Sequence, residues 1–368
     1  MSGRTYRIGI VGAGVIGRQH AKVVSQLDRL ELAGFADHVP ERARELADRH
    51  GGGAWGDLAE MLAATDVDVV AVCTPTGAHG EVAVPALDAG KHVVIEKPAE
   101  TTLAKIDEIV AAQERAGTLV TVISQHRFDR SSEVVAEAVA EGRLGRLTSG
   151  VASIDWWRGQ SYYDSGDWRG TWELDGGGAL MNQGVHTVDL LVAALGEPVE
   201  VFAYTGLLAH EGIEVEDVAV GVVRFASGAL GVLHGSTAAF PGLSARVQVH
   251  GDRGSAVIDD DRLVYIHESS AEEAGAHGAY GSKGATTTNQ VSRYPDAAPE
   301  GPTAGSDPGA MSDAHRYQYE DFLRALDDGG QPRVTLAENR RSVSLILGVY
   351  ESARTGRPVR VGDAAVAS

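Results

Sequence analysis

Residues 7–20 read Arg-Ile-Gly-Ile-Val-Gly-Ala-Gly-Val-Ile-Gly-Arg-Gln-His, and the chain reaches Asp37 through Glu-Leu-Ala-Gly-Phe-Ala. Ile8, Ile10 and Val11 form the short apolar run expected of a buried parallel strand. Gly12, Gly14 and Gly17 then fit G-x-G-x-x-G, and a second strand over 32–36 ends at Asp37, twenty residues past Gly17. Each part has a physical task. Gly12 allows a tight turn, Gly14 lets the backbone approach a pyrophosphate, and Gly17 lets the helix pack closely on the strand. The free N–H groups at the helix start then meet the phosphate charge, so Gly12, Ala13, Gly14, Val15, Ile16 and Gly17 are the expected phosphate-binding residues. Asp37 can accept both hydroxyls of an adenosine ribose and would repel a 2′-phosphate, which points to NAD in preference to NADP.

The 368 residues suggest two domains with ample core. Hydrophobic content of 43% and charged content of 23% are those of an ordinary globular chain. A net charge of −19 argues against duplex nucleic acid and anionic membranes as partners. Cys73 is the single cysteine, so no intrachain disulfide can form, which fits a reducing cytoplasm. No signal-peptide core, membrane-length apolar run or internal repeat is visible, and a cytoplasmic location is expected.

Beyond Asp37 the pattern predicts helices over 40–51 and 58–63, then a buried strand over 68–73 ending in Thr74-Pro75-Thr76, with His79 close behind. Ligands of open α/β sheets sit at the carboxyl ends of strands, so this loop should border the cofactor. A helix over 81–89 and a strand over 92–95 lead to Glu96-Lys97-Pro98. A lysine at such a strand end is a candidate proton-transfer group, and Pro98 restricts it to an extended backbone. A helix over 102–116 and a strand over 119–124 complete the alternation. The boundary falls after residue 125, giving domains 1–125 and 126–368, with Gln125, His126 and Arg127 expected in an inter-domain cleft.

The second half changes character. Strands over 148–155, 199–205, 218–225, 229–236, 245–250 and 255–259 are separated by short turns, and a helix over 131–141 precedes them. This spacing predicts a largely antiparallel sheet whose open face would serve as an oligomer interface. Residues 156–178 hold four of the five tryptophans together with Arg158, Tyr162, Tyr163 and Arg169, a composition suited to stacking on a sugar or holding a phosphate. Trp168 and Arg169 are the substrate-binding candidates there. A helix over 179–195 would place Asn182, His186 and Asp189 on one face. His186 is then a second proton-transfer candidate, Asp189 could fix its tautomer, and Asn182 could hold a substrate hydroxyl. No metal is expected, since no second His or Cys stands at ligand spacing. Residues 268–311 are expected to be a mobile loop, and the helices over 313–326 and 336–354 to be structural, with His315 a candidate exception.

Five segments together resemble the Gfo/Idh/MocA (glucose–fructose oxidoreductase / inositol dehydrogenase) family. They are G-A-G-V-I-G at 12–17, C-T-P-T-G-A-H at 73–79, E-K-P at 96–98, G-G-G-A-L-M-N-Q-G-V-H-T-V-D-L-L at 176–191 and H-R-Y-Q-Y-E-D-F at 315–322. The resemblance implies an α/β protein with an N-terminal Rossmann domain, a doubly wound parallel sheet, and a C-terminal α/β domain with an open, largely antiparallel sheet used for homodimers or homotetramers. It implies an NAD-dependent oxidoreductase acting on a CH–OH group of a sugar, sugar derivative or cyclic polyol. Lys97 and His186 match the family's catalytic lysine and histidine. Thr74, Pro75, His79, Glu96, Lys97 and Gln125 would touch the cofactor, and Lys97, Arg127, Trp168, Arg169, Asn182 and His186 the substrate. Inositol dehydrogenases usually carry Asp four residues before that histidine, where this chain has Asn182; Asn resembles branches acting on glycosides or nucleotide-linked sugars, often at C3. Two other readings stand beside this one: a redox-neutral, NAD-dependent glycoside-cleaving enzyme, and a non-catalytic sensor of NAD or sugar.

Overall fold

The computed structural model describes residues 4–270, 272–273, 289–298 and 312–362. Its longer helices, in chain order, are α1 (Val15–Val24), α2 (Pro40–His50), α3 (Leu58–Ala64), α4 (His79–Asp88), α5 (Leu103–Ala116), α6 (Arg130–Ala140), α7 (Val185–Leu195), α8 (Ser312–Asp328) and α9 (Leu336–Thr355). Two compact units form, one from residues 1–125, 171–176 and 311–340, the other from 126–170, 177–310 and 341–368. The first unit thus takes in two later segments besides the expected 1–125.

In the first unit six strands form a parallel sheet in the order β3-β2-β1-β4-β5-β6. These are β1 (Tyr6–Val11), β2 (Leu30–Ala36), β3 (Gly53–Trp55), β4 (Val69–Val72), β5 (His92–Ile95) and β6 (Val120–Val122). The order reverses between β1 and β4, which is the switch point at which such sheets bind ligands. Every residue of β4 is buried, as a strand covered on both faces requires. Local signals end the helices where the sequence places them. Thr102 caps α5 by accepting from Lys105 N, and Gly117 closes it in the left-handed region at φ 65°. Tyr319, Phe322 and Leu323 of α8 join Ile8, Ile10, Val23, Val24 and Phe35 in the core of this unit.

The second unit is built on an eight-stranded sheet in the order β13-β12-β11-β7-β10-β9-β8-β14. The strands are β7 (Leu147–Asp155), β8 (Pro198–Gly206), β9 (Val218–Phe225), β10 (Leu230–Ser236), β11 (Ala245–Gly251), β12 (Gly254–Asp259), β13 (Arg262–Glu268) and β14 (Val359–Arg360). Only β7 and β10 run parallel; the other neighbours are antiparallel. In β9, Ala219, Val223 and Phe225 are buried while Val220 and Val222 are exposed, so both faces of this strand carry apolar residues. Leu191 and Leu195 of α7 cover β7 at Gly150.

Three strands escape sequence reading. β3 and β14 are very short, and β13 lies between the last expected strand and the loop expected over 268–311, meeting that loop only at Glu268. Part of that loop is ordered on β13: Gln290 N donates to Ile266 O at 2.7 Å and Asn289 Nδ2 donates to Val264 O at 3.0 Å. Residues 271, 274–288 and 299–311 of the expected loop lie outside the described residues.

The predicted helix over 179–195 is two structures. Residues Ala179–Gly184 form a π-helical turn, and α7 follows from Val185. Outside partners claim the amides of this turn: Glu216 accepts from Gly178 N and Leu180 N, each at 2.9 Å, and the Tyr350 hydroxyl accepts from Met181 N at 3.2 Å. The wider turn replaces the regular α-helical geometry between Asn182 and His186, whereas His186 and Asp189 keep α-helical spacing within α7.

Candidate active site

In the first unit the glycines show their tasks directly. Gly12 sits at φ 101°, and a Cβ there would lie 2.5 Å from the Cys73 carbonyl; a Cβ on Gly17 would lie 2.0 Å from Gly12 O. A Cβ on Gly14 would meet no protein atom within 4 Å, and Val15 beside it is 80% exposed. The absence of a side chain at Gly14 therefore relieves no crowding within the protein and suits the close approach of a pyrophosphate. Asp37 is buried at the end of β2. Its Oδ2 accepts from Ala13 N and its Oδ1 from Val39 N, both at 2.8 Å, which fixes the carboxylate beside the glycine loop. After β4, the buried Oγ1 of Thr74 has no hydrogen-bond partner among the described residues. These features fit NAD.

His79 is buried rather than on a helix surface. Its Nδ1 lies 2.9 Å from Pro98 O and its Nε2 3.0 Å from Thr74 O, so the ring spans the loops after β4 and β5. Burial lowers its pKa, and the neutral ring donates to one of these carbonyls. Lys97 is half-buried at the end of β5 and its peptide bond to Pro98 is cis. Its backbone N–H donates to Glu96 Oε2 at 3.1 Å. Gln125 and Glu96 are buried.

In the second unit His186, half-buried in the first turn of α7, meets the ring of His126 edge-on at 4.8 Å between centroids. Nδ1 of His126 lies 2.8 Å from Asp129 Oδ2 and 3.0 Å from Asp261 Oδ1. Burial alone would lower the His126 pKa; the two carboxylates overcome it and push the pKa up to about 10. Asp189 has a different task from the one expected. It receives Arg127 Nε and Nη2 at 2.7 and 2.8 Å and Ser342 Oγ at 2.8 Å, so its carboxylate anchors Arg127 rather than orienting His186.

The aromatic segment reaches the same turn through a chain of side chains. The guanidinium of Arg169 stacks over Trp168 and Tyr162 at 4.4 and 4.3 Å and donates to Tyr162 Oη at 2.6 Å. Gln183 Nε2 donates to Tyr162 Oη and to Asn182 Oδ1, both at 2.9 Å, while Gln183 Oε1 accepts from Arg158 Nη2 at 2.8 Å. Gln183 and Glu216 are the residues that sequence reading missed. Glu216, pushed up to about 7 by burial against the pull of its donors, sets the path of the 178–181 backbone. Its only sequence signal is the acidic run just before β9.

Among the described residues, two groups bring histidine and carboxylate ligand atoms within 4.8 Å of one another, His20–Glu96–His315 and His126–Asp129–Asp261. In the first, His20 Nε2 lies 2.7 Å and His315 Nε2 3.6 Å from Glu96 Oε1; in the second, His126 Nδ1 lies 2.8 Å from Asp129 Oδ2 and 3.0 Å from Asp261 Oδ1.

Comparison with known proteins agrees with this picture. Residues 6–124 match the model of an oxidoreductase family with an NAD-binding Rossmann fold, and residues 132–257 match the GFO/IDH/MocA C-terminal domain. Myo-inositol 2-dehydrogenase of Thermotoga maritima is 32% identical over 273 residues, 71% of this chain and 77% of that one. D-glucoside 3-dehydrogenase of Escherichia coli is 32% identical over 203 residues, 54% of this chain and 56% of that one. The structure of the WlbA dehydrogenase of Bordetella pertussis, in complex with NADH and UDP-GlcNAcA, superposes with a TM-score of 0.82 at 29% identity over 98% of this chain and 99% of that one. The chain belongs to the Gfo/Idh/MocA family of oxidoreductases, with an NAD-binding Rossmann domain at its N-terminus.

Proposed function

We propose that this protein is an NAD-dependent dehydrogenase that oxidises a ring hydroxyl, at C3, of a sugar substituted at its anomeric carbon: a glycoside or a nucleotide-linked sugar. The observation that carries the substrate class is the Arg169–Tyr162–Gln183–Asn182 chain. It joins a ring-and-guanidinium surface to the turn that precedes His186. Such a surface suits the large anomeric substituent, and an amide at Asn182 suits a neutral hydroxyl. D-glucoside 3-dehydrogenase and the WlbA complex with UDP-GlcNAcA, both similar to this chain, support it.

NAD, when bound, accepts the carbinol hydride at its nicotinamide C4. The hydroxyl proton must leave as the hydride does. Lys97 Nζ takes it, and His186 holds the oxygen by a hydrogen bond and orients it. Reduced-nicotinamide absorbance over cyclic polyols, free aldoses, simple glycosides and nucleotide-linked sugars tests the assignment. Turnover is expected with glycosides or nucleotide-linked sugars. Turnover confined to cyclic polyols would overturn the substrate class, and release of aglycone without net NADH would favour the redox-neutral reaction.

The reading includes a cytoplasmic homodimer or homotetramer. Among the described residues no helix is long and apolar enough to cross a membrane. Tyr204, Val220, Val222, Leu230 and Val232 are exposed on the neighbouring strands β8, β9 and β10, an apolar sheet face that an assembly would cover. Val222→Lys should therefore lower the mass measured by light scattering; an unchanged mass would exclude this face as the interface.

A further inference from the structure

His20, at the end of the 7–20 stretch, and the 315–322 segment have no part in the proposed proton and hydride transfers. In the first unit they meet. His20 on α1 places Nε2 2.7 Å from Glu96 Oε1 and Nδ1 2.7 Å from the Tyr319 hydroxyl on α8. His315, one turn before Tyr319, places Nε2 3.6 Å from the same Glu96 oxygen. The other oxygen of Glu96 receives the backbone N–H of Lys97. All four side chains are buried, none more than 5% exposed as a residue.

A carboxylate only accepts, so a neutral His20 carries its proton on Nε2 and its Nδ1 accepts the Tyr319 O–H. The hydroxyl of Tyr319 therefore selects the tautomer that Glu96 needs. Burial would raise the Glu96 pKa, but the hydrogen bond from His20 and the electrostatic pull of His20 and His315 hold it well below the usual carboxylate range. Glu96 also acts on the Cys73 thiol, pushed up by burial, and on His79, lowered by burial. An apolar core would pack these helices without the cost of burying a carboxylate.

We infer that His20, His315 and Tyr319 are positioning residues for Lys97: the buried Tyr319–His20–Glu96 chain fixes the carboxylate that holds the lysine's backbone, so α1 and α8 set its aim. This rests on the assignment of proton transfer to Lys97. The chain also joins the helix that begins at the phosphate loop to the strand end carrying the lysine.

The test is Tyr319→Phe, which removes one oxygen and keeps the ring. The expected result is a kcat about tenfold lower with KM for NAD within about twofold of native. Nitrogen-detected NMR of the imidazoles should show His20 moving from the Nε2–H form toward a mixture. In a His20→Phe background, Tyr319→Phe should have no further effect on kcat. A native kcat in Tyr319→Phe, an unmoved His20 tautomer, or a fall in kcat matched by weaker NAD binding would each overturn the inference. Turnover surviving Lys97→Ala would remove the lysine assignment, and the inference with it, while leaving the tautomer shift to be seen.

Discussion

The two units build their candidate sites by opposite means. Around Gly12–Gly17 the geometry is made by backbone: a left-handed glycine against the Cys73 carbonyl, a helix start, and an aspartate that accepts two amides. Around Asn182–His186 it is made by side chains drawn from distant segments: Glu216, Tyr350, Tyr162, Arg169, Asp129 and Asp261. A backbone-built site is written in contiguous residues and tolerates change around it. A side-chain-built site has as many points of failure as it has members, and it is where specificity can drift without loss of fold.

The largest expected effect tests whether both units supply the chemistry. Lys97→Ala and His186→Ala should each keep NAD binding and lower kcat by about 10²–10⁴-fold. Kinetics with and without a titration of NAD fluorescence quenching would check both halves of that statement. If one variant keeps full turnover, the comparison becomes one-sided and the unit it belongs to serves binding only.

The same contrast governs what could be read in advance. The places of Lys97 and the glycine loop in the fold were legible because each sits at a strand end defined by a run of apolar residues. The helix that carries His186 was legible too, but the conformation before it was not. Three consecutive glycines permit many paths, and the π-turn is selected by Glu216 and Tyr350, whose approach no local periodicity announces. Asp189 misled for a related reason. Spacing placed it near His186, whereas its bidentate partner Arg127 stands 62 residues earlier. The short β3 and β14 were lost because strands of two or three residues carry no period.

A smaller effect sharpens the account of the side-chain-built site. Gln183→Leu keeps the volume but cuts Asn182 from Tyr162 and removes the side-chain acceptor of Arg158. Steady-state kinetics should show kcat/KM for the substituted sugar about tenfold lower, with KM for NAD unmoved. An equal loss for free aldoses would mean that the chain supports the turn and does not read the anomeric substituent. Its counterpart in the backbone-built site is Asp37→Ala, which should lower the NAD-to-NADP ratio of kcat/KM about tenfold by removing the repulsion of a 2′-phosphate. Unchanged selectivity would place the discrimination elsewhere in the first unit.

The smallest effect concerns stability. His126 gains its proton affinity from folding: its pKa rises from 6.5 to about 10 because Asp261 and Asp129 outweigh the cost of burial. A histidine whose folded pKa is raised contributes stability that is fully present below 6.5 and is lost as pH rises through about 10. His126→Gln can still donate a hydrogen bond but carries no charge. Urea unfolding of the two proteins should therefore differ by about 1–3 kcal/mol near neutral pH, and the gap should close by about pH 10.5. A gap that persists there would show that His126 holds the hairpin turn at Asp261 by shape and hydrogen bonding alone. The side-chain-built site would then be insensitive to alkaline pH, as the backbone-built one is expected to be.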